Sequence, residues 1–521
     1  VKILIIIAIL FFIGYAAVYW TATPALRRHF GPAFLISYFA PMAAGIASSS
    51  APIFLLVTLL CFLGTTRGRL DAVCRFVLLA LLLPAVIWRL QAGGTPLFDL
   101  STVDVLAMGL VLRCLFGTSD SMPARRGVTA EDAVVFILFL TLCIGSVRFD
   151  SITNLLRGLV ADGIAIVLPY WALRSNIRSP REFLRAAACF AAACCILALF
   201  AFYESRFGWS LFGSFQSVSD ISGGNRNLMQ RGGALRASAT MGGGGALMLG
   251  IVMLIGFTAA LYSRRYIRST WMQAGWCFAI LVGMIMTQSR GNLALFGVAL
   301  LIFCVLRRKW GYVVLIGVGA PAMFGALLTA AQYSQKISSF LNVGPYARAT
   351  RLADDVYDYR QLLLTRGMEE AAKHRWTGIS KQDVLASLAD ITQGQGIVDL
   401  VNVYLNIYLV SGLLGVVPFM MFLLAVWFKL GGQVRRFGDP DLSDLRAYAI
   451  TILAVMTFQL AFMSLIDRMN LCLGLALAAS RLVGLERARL RAAAQIAFSR
   501  RLTGRARLPH QPESTGAYAQ S

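Results

Sequence analysis

Apolar runs long enough to cross a hydrocarbon core of about 30 Å recur along most of this chain, and they limit what it can fold into. Inside lipid no water is present to satisfy a backbone N–H or C=O, so each run has to close its hydrogen bonds within itself, as a helix. The 521 residues are 58% hydrophobic and 14% charged, whereas soluble domains carry about 25% charged residues. Candidate spans fall at 1–20, 33–48, 51–64, 71–90, 101–116, 130–147, 153–173, 183–205, 238–262, 271–288, 292–307, 311–332, 403–429, 446–465 and 470–485. The runs at 33–48 and 51–64 are short and read equally as one broken helix or a re-entrant pair. The expected fold is an all-α polytopic integral membrane protein of about 13–15 transmembrane helices with an ordered helical outer loop. The first run lacks a small-residue cleavage site, so it reads as a span rather than a removable signal.

Arg27/Arg28, Arg67/Arg69, Arg125/Arg126, Arg174/Arg178/Arg181/Arg185, Arg264/Arg265/Arg268, Arg307/Arg308/Lys309 and Arg435/Arg436 fall in every second connection. The positive-inside tendency assigns those connections to the cytoplasm, which leaves 206–237 and 333–402 outside. The same distribution accounts for the net charge of +23. In a soluble chain that charge would suggest nucleic acid, and no nucleic-acid partner is expected here.

The chain divides into N-terminal transmembrane helices (1–205), central transmembrane helices (206–332), a large outer loop (333–402), C-terminal transmembrane helices (403–485) and a basic cytoplasmic tail (486–521). In the outer loop, Asp354 and Asp355 suit a helix N-terminus. A helical pattern runs through Leu362, Leu363 and Met368 to Lys373, and Gly378 stops it. Ser380-Lys-Gln-Asp383 predicts the cap of a second short helix over 381–391. The tail interleaves Arg487, Arg489, Arg491, Arg500 and Arg501 with Ile496, Phe498 and Leu502. It reads either as a segment lying on the anionic inner leaflet or as a disordered topogenic tail. No internal repeat is evident.

The ten cysteines fall mostly inside apolar runs, among them Cys61, Cys143, Cys189, Cys194, Cys195, Cys277 and Cys304, and read as small buried apolar residues. No His/Cys/carboxylate set has metal-ligand spacing, so neither a metal site nor a cofactor is expected. No P-loop or serine-nucleophile elbow is present. Of three histidines only His374 falls outside, where it reads as a general base or as a surface histidine near a helix C-terminus.

Three polar clusters fall on the outer side. The first holds Asn225-Arg226-Asn227, Arg231 and Leu235-Arg236-Ala-Ser-Ala-Thr-Met-Gly242-Gly243-Gly244-Gly245 ahead of an apolar run. An arginine before a glycine-rich helix start suits an oxyanion; the other reading is helix packing through small residues with a snorkelling arginine. The second, Met286-Thr-Gln-Ser-Arg290-Gly-Asn292, separates two spans with almost no loop. It puts an arginine at the outer face, for a ligand or to hold carbonyls of the turn. The third runs from Gln393 through Gly396, Asp399, Asn402 and Tyr404 to Asn406. Spacings of three and four put Asp399, Asn402 and Asn406 on one helical face, either lining a polar cavity or serving as a cap and interhelical hydrogen bonds.

At these clusters the chain resembles the O-antigen ligase/polymerase superfamily of bacterial envelope glycosyltransferases, over roughly residues 180–430. The matching pieces are Leu235-Arg236-Ala-Ser-Ala-Thr-Met-Gly-Gly, Thr287-Gln-Ser-Arg290-Gly, the outer loop with Trp376-Thr-Gly378, and Val401-Asn402-Val-Tyr404-Leu followed by Ser411-Gly412-Leu-Leu-Gly415. The Gly-Gln-Gly-Ile-Val-Asp-Leu-Val-Asn-Val-Tyr-Leu stretch looks like the exopolysaccharide branch. In that family, glycans on a polyprenyl diphosphate are transferred at the periplasmic face of the bacterial inner membrane. The acceptor is another lipid-linked repeat unit for a polymerase, or lipid A core for a ligase.

The resemblance implies that Arg236 and Arg290 hold the diphosphate and neutralise charge growing on the departing oxygens without a metal. It implies substrate contacts at Arg231, Arg360, Asn402, Tyr404, Gly242 and Gly243. The partners it implies are a polyprenyl-diphosphate-linked oligosaccharide, membrane lipids, a chain-length regulator and export machinery. Ligases carry a histidine just before the loop-end Asn, where this chain has Val401. That departure leans toward a polymerase and makes Asp399 the substitute base. Gly244/Gly245 also depart from a usually more polar position. A lipid-linked sugar flippase is the reading from another class, with Asp162 and nearby Arg157 as the main mid-span charges.

Overall fold

The computed structural model describes residues 2–92, 95–116, 127–147, 152–216, 218–219, 230–231, 234–242, 245–306, 361–389, 391, 402–431, 440–462 and 468–505. Among them seven helices are long and apolar enough to cross a membrane: Lys2–Thr21, Pro24–Ser48, Leu156–Asn176, Pro180–Phe207, Gly245–Tyr262, Val403–Gly431 and Arg468–Leu490. Ala51–Thr65, Thr270–Met286 and Gly291–Leu306 are shorter apolar helices. The chain is an all-α, multi-pass membrane protein. The span expected at 311–332 lies outside the described residues.

The helix Pro180–Phe207 is the hub. It packs against Lys2–Thr21, Arg69–Leu82, Gly245–Tyr262 and Thr270–Met286. Its sequence explains this, because Ala and Cys fill every position from 186 to 195 except Phe190 and let neighbouring backbones come close. Gly283 lies on Ala198 with 2.9 Å between its would-be Cβ and the Ala198 Cα, and Gly256 lies on Cys194 in the same way.

The basic connections converge on one another. Arg69 pairs with Glu182 at 2.9 Å, His29 with Asp71 at 2.9 Å, and Arg174 with Asp132 at 3.0 Å. Asp441 receives both Arg181 and Arg265. Buried Glu131 takes Lys429 at 2.8 Å and Ser480 at 2.7 Å. The first and second polar clusters meet at another helix end, where Arg236 and Ala237 bond the carbonyls of Thr287 and Met286.

Four expectations need correction or sharpening. The run at 71–90 is not one span: the helix Arg69–Leu82 stops before Pro84, and Ile87–Ala92 pairs antiparallel with Thr95–Ser101. Thr102 seals the base of that hairpin, its hydroxyl donating to Pro84 O at 2.9 Å and its N–H to Val86 O at 3.1 Å. The runs at 33–48 and 51–64 are two separate helices, Pro32–Ser48 and Ala51–Thr65, turned by Ser49 at φ 51°. The helix Val403–Gly431 is broken at Gly412 (φ 62°, ψ −158°). The boundary at 485/486 falls inside the continuous helix Arg468–Arg505, so the start of the basic tail is helical.

Candidate active site

The helix Thr270–Met286 ends in a turn, Thr287-Gln288-Ser289, and the next helix begins at Arg290. Gln288 takes φ 51° to make so abrupt a reversal. Along this turn lies the segment carrying Arg236. Arg236 Nε donates to Thr287 O at 3.2 Å, and Ala237 N donates to Met286 O at 3.2 Å. The structure therefore brings the first and second clusters together, with the half-buried Arg236 side chain anchored three residues from Arg290. The backbone of Arg290 opens its helix; its side chain is not among the described ones.

Asn292, fully buried, locks the turn from below. Its Nδ2 donates to Leu247 O at 3.0 Å, and its Oδ1 accepts from Gln459 Nε2 at 3.4 Å. Gly250 leaves the space for it, since a Cβ there would collide with the Asn292 amide.

The Arg236 segment is held on its other side by Glu204, at the end of the hub helix. Glu204 Oε2 accepts from Ser238 N (2.9 Å) and Ala239 N (2.7 Å), and Oε1 from Leu211 N (2.9 Å). Thr240 Oγ1 donates to Leu81 O at 2.6 Å, and Ala85 N donates to Thr240 O at 3.0 Å. Gly242 sits at φ 75°, a left-handed backbone, with its would-be Cβ 3.0 Å from Ala85 Cβ. So the first motif is stitched to the base of the β-hairpin. Gly243 lies outside the described residues. Arg231 sits on the two-residue strand Gln230–Arg231, paired with Ala234–Leu235.

The third cluster is described from Asn402 onward. The helix begins at Val403, and Asn402 is its cap, Oδ1 accepting from Leu405 N at 3.1 Å. Asn402 also accepts from Asn406 N through its carbonyl at 2.9 Å, which sets the two one helical turn apart. Tyr404 gives its hydroxyl to Thr457 O at 2.9 Å, and Val403 N reaches Leu460 O at 2.8 Å. Asp399 and Arg360 lie outside the described residues. His374 is exposed on the outer loop, and its carbonyl accepts from Gly378 N at 2.8 Å.

The outer loop is docked on the broken helix by main-chain bonds. Ile379 N donates to Leu409 O (2.7 Å), Leu413 N to Arg375 O (2.9 Å) and Leu414 N to Trp376 O (3.2 Å). Opening a helix in a membrane frees N–H and C=O groups that lipid cannot satisfy; residues 375–379 satisfy them here. Beyond Gly378 (φ 71°), Ser380 caps the helix Lys381–Ser387 by accepting from Asp383 N at 3.1 Å, as the sequence predicts.

Sequence reading missed two residues of this region. Glu204 left no local signal, because its partners are main-chain groups of distant segments. Arg468, fully buried, donates from Nε to Ala80 O (2.8 Å) and from Nη2 to Leu83 O (2.6 Å), capping the helix that leads into the hairpin. Its signal was an arginine opening a span on the side expected to be outer, the same oddity that singled out Arg290. Among the described residues no three His, Cys, Asp or Glu side chains gather to hold a metal ion.

Residues 275–420 match the family model described as O-antigen ligase. Over that stretch the chain is similar to the O-antigen ligase/polymerase superfamily. The matched stretch covers the 287–290 turn, the outer loop and the broken helix past Gly412, while Arg236 is joined to it through Thr287 and Met286. No curated protein matches the chain. Members of that family are glycosyltransferase-type enzymes that act on lipid-linked glycans in membranes.

Proposed function

We propose that the chain is a periplasmic-face glycosyl polymerase. It joins polyprenyl-diphosphate-linked oligosaccharide repeat units into exopolysaccharide or O-antigen, in the inner membrane of a bacterial cell. Arg236 and Arg290 hold the diphosphate of the donor. Their planar guanidinium groups meet phosphate oxygens through paired N–H donors and stabilise the negative charge that builds as the glycosidic bond to phosphate breaks. Asp399 takes the proton from the acceptor hydroxyl. Arg231, Arg360, Asn402, Tyr404, Gly242 and Gly243 contact substrate, and no metal takes part. A chain-length regulator and export machinery act with it.

The observation that carries the reading is the seam between the two arginine motifs, where Arg236 Nε and Ala237 N bond the carbonyls of Thr287 and Met286. Residues far apart in sequence are thereby held at one helix end. Cells producing Arg236→Ala or Arg290→Ala should insert the protein and accumulate it but make no polymer. Polymer of normal length from both would end the proposal.

A ligase is the second reading, favoured by the description of the matching family and opposed by Val401 at the position of the ligase histidine. In cells with a complete lipid A core, a ligase attaches glycan to lipid A, whereas a polymerase lengthens the lipid-linked unit.

A further inference from the structure

Glu204 lies at the last turn of the hub helix and is 0% exposed. A carboxylate in such a place is costly unless its oxygens are matched by donors. Here all three bonds come from main-chain N–H groups, at 2.9 Å from Leu211, 2.9 Å from Ser238 and 2.7 Å from Ala239. Bonds to an ionised acceptor are roughly twice as strong as neutral ones. They are spent on an awkward peptide: Ala239 holds φ 46°, a left-handed conformation that a residue with a Cβ rarely keeps unaided.

Arg236 is two residues upstream of Ser238 and three upstream of Ala239. Ala237, between Arg236 and the Glu204-bound pair, gives its N–H to Met286 O. The peptide 236–239 is thus gripped on one flank by a carboxylate and on the other by the turn that leads to Arg290. No neutral side chain does the same. A carboxylate offers two acceptor oxygens, whereas a glutamine puts an NH₂ where one of them stood, facing a donor.

We propose that Glu204 is a positioning residue: it sets the Ser238-Ala239 peptide so that the Arg236 guanidinium is delivered to the substrate diphosphate. The role rests on the reading of Arg236 as a diphosphate ligand. It requires Glu204 to act through Arg236 and not on stability alone, and a double-mutant cycle separates the two.

Wild type, Glu204→Gln, Arg236→Ala and the double variant are purified and assayed on a polyprenyl-diphosphate-linked repeat unit. Glu204→Gln is expected to lower kcat/KM roughly a hundredfold, the usual consequence of displacing a group by about an ångström. Affinity for the lipid-linked unit, which an inactive variant still reports, closes the cycle: Glu204→Gln is expected to weaken it in the wild-type background and to cause no further loss in the Arg236→Ala background. Glu204→Asp, which keeps the charge, should fall between wild type and Glu204→Gln, and serves if the glutamine variant does not accumulate. If Arg236→Ala is inactive while both Glu204 variants turn over like wild type, the positioning role is overturned and the polymerase reading stands. Losses that simply multiply in the double variant also overturn it. An Arg236→Ala protein with wild-type activity removes the polymerase reading, and this role with it.

Discussion

Gly378 and Gly412 interlock. Each has a positive φ, 71° and 62°, and each has its α-carbon pressed on the backbone of the other's segment. A Cβ on Gly378 would meet Leu409 O, the Val410 carbonyl carbon and Ser411 N, and one on Gly412 would collide with the Trp376 carbonyl. The outer loop and the broken helix are therefore one unit, held by backbone and open only to glycine at two places.

Alanine at either glycine should release this latch. The left-handed backbone alone costs a residue with a Cβ roughly 1–2 kcal/mol, and the collision adds to it. The expected outcome is faster proteolysis within 361–391 for Gly378→Ala and for Gly412→Ala. The double variant should be little worse than either one, because both undo the same contact. Unchanged protease resistance in the single variants would show that the latch does not hold the loop.

The pair Glu131–Lys429 should matter through burial rather than attraction. Glu131 is fully buried, and Lys429 Nζ bonds both of its oxygens at 2.8 Å. Gly484 leaves room for that side chain, because a Cβ there would strike Lys429 Cε. Lys429→Met strands a buried carboxylate and should cost about 3–5 kcal/mol. Adding Glu131→Gln should return most of it, read as the thermal midpoint in detergent. A Lys429→Met protein melting with wild type is the contrary result.

Orientation can be checked with single cysteines, since the ten native ones are buried or half-buried. Val128, 86% exposed, follows the basic pair Arg125/Arg126, and Trp376, 62% exposed, lies on the outer loop. A membrane-impermeant maleimide should label Trp376→Cys in spheroplasts and Val128→Cys only after the membrane is opened. The reverse pattern would invert the assignment of every loop.

Hydropathy and turn chemistry made much of the fold legible. The cap at Ser380, the stop at Gly378 and the spans from Pro180 to Met286 follow from residue type and spacing. The hairpin at 87–101 did not, because Ile87, Trp88 and Leu90 continue the apolar run from 71 and read as its end, with 91–100 as a plain connection. The signal that should have separated them was Gly93-Gly94 between two short apolar stretches. The break at Gly412 was hidden for a related reason: a glycine inside an apolar run is ordinary in membrane helices, and only the docked segment 375–379 makes this one special. At the site, the arginines stood out because a charge at the outer face needs a reason. Glu204 did not, since its partners are amides whose positions only the fold supplies. The start of the helix at Val403 matches the expected span, and of the two readings of the third cluster the cap is the one Asn402 shows.

The central claim is that the joined Arg236 and Arg290 motifs form one diphosphate site that lengthens glycan. Its most direct test is purified protein with a polyprenyl-diphosphate-linked repeat unit, with no nucleotide or metal added and the products sized. Wild type should give a ladder of lengthened glycan. Arg236→Ala should give none, and Arg236→Lys should do little better, because an ammonium cannot reproduce the two-pronged contact of a guanidinium with phosphate. A wild-type reaction that leaves the repeat unit at its starting size, or a full ladder from Arg236→Ala, would contradict the account.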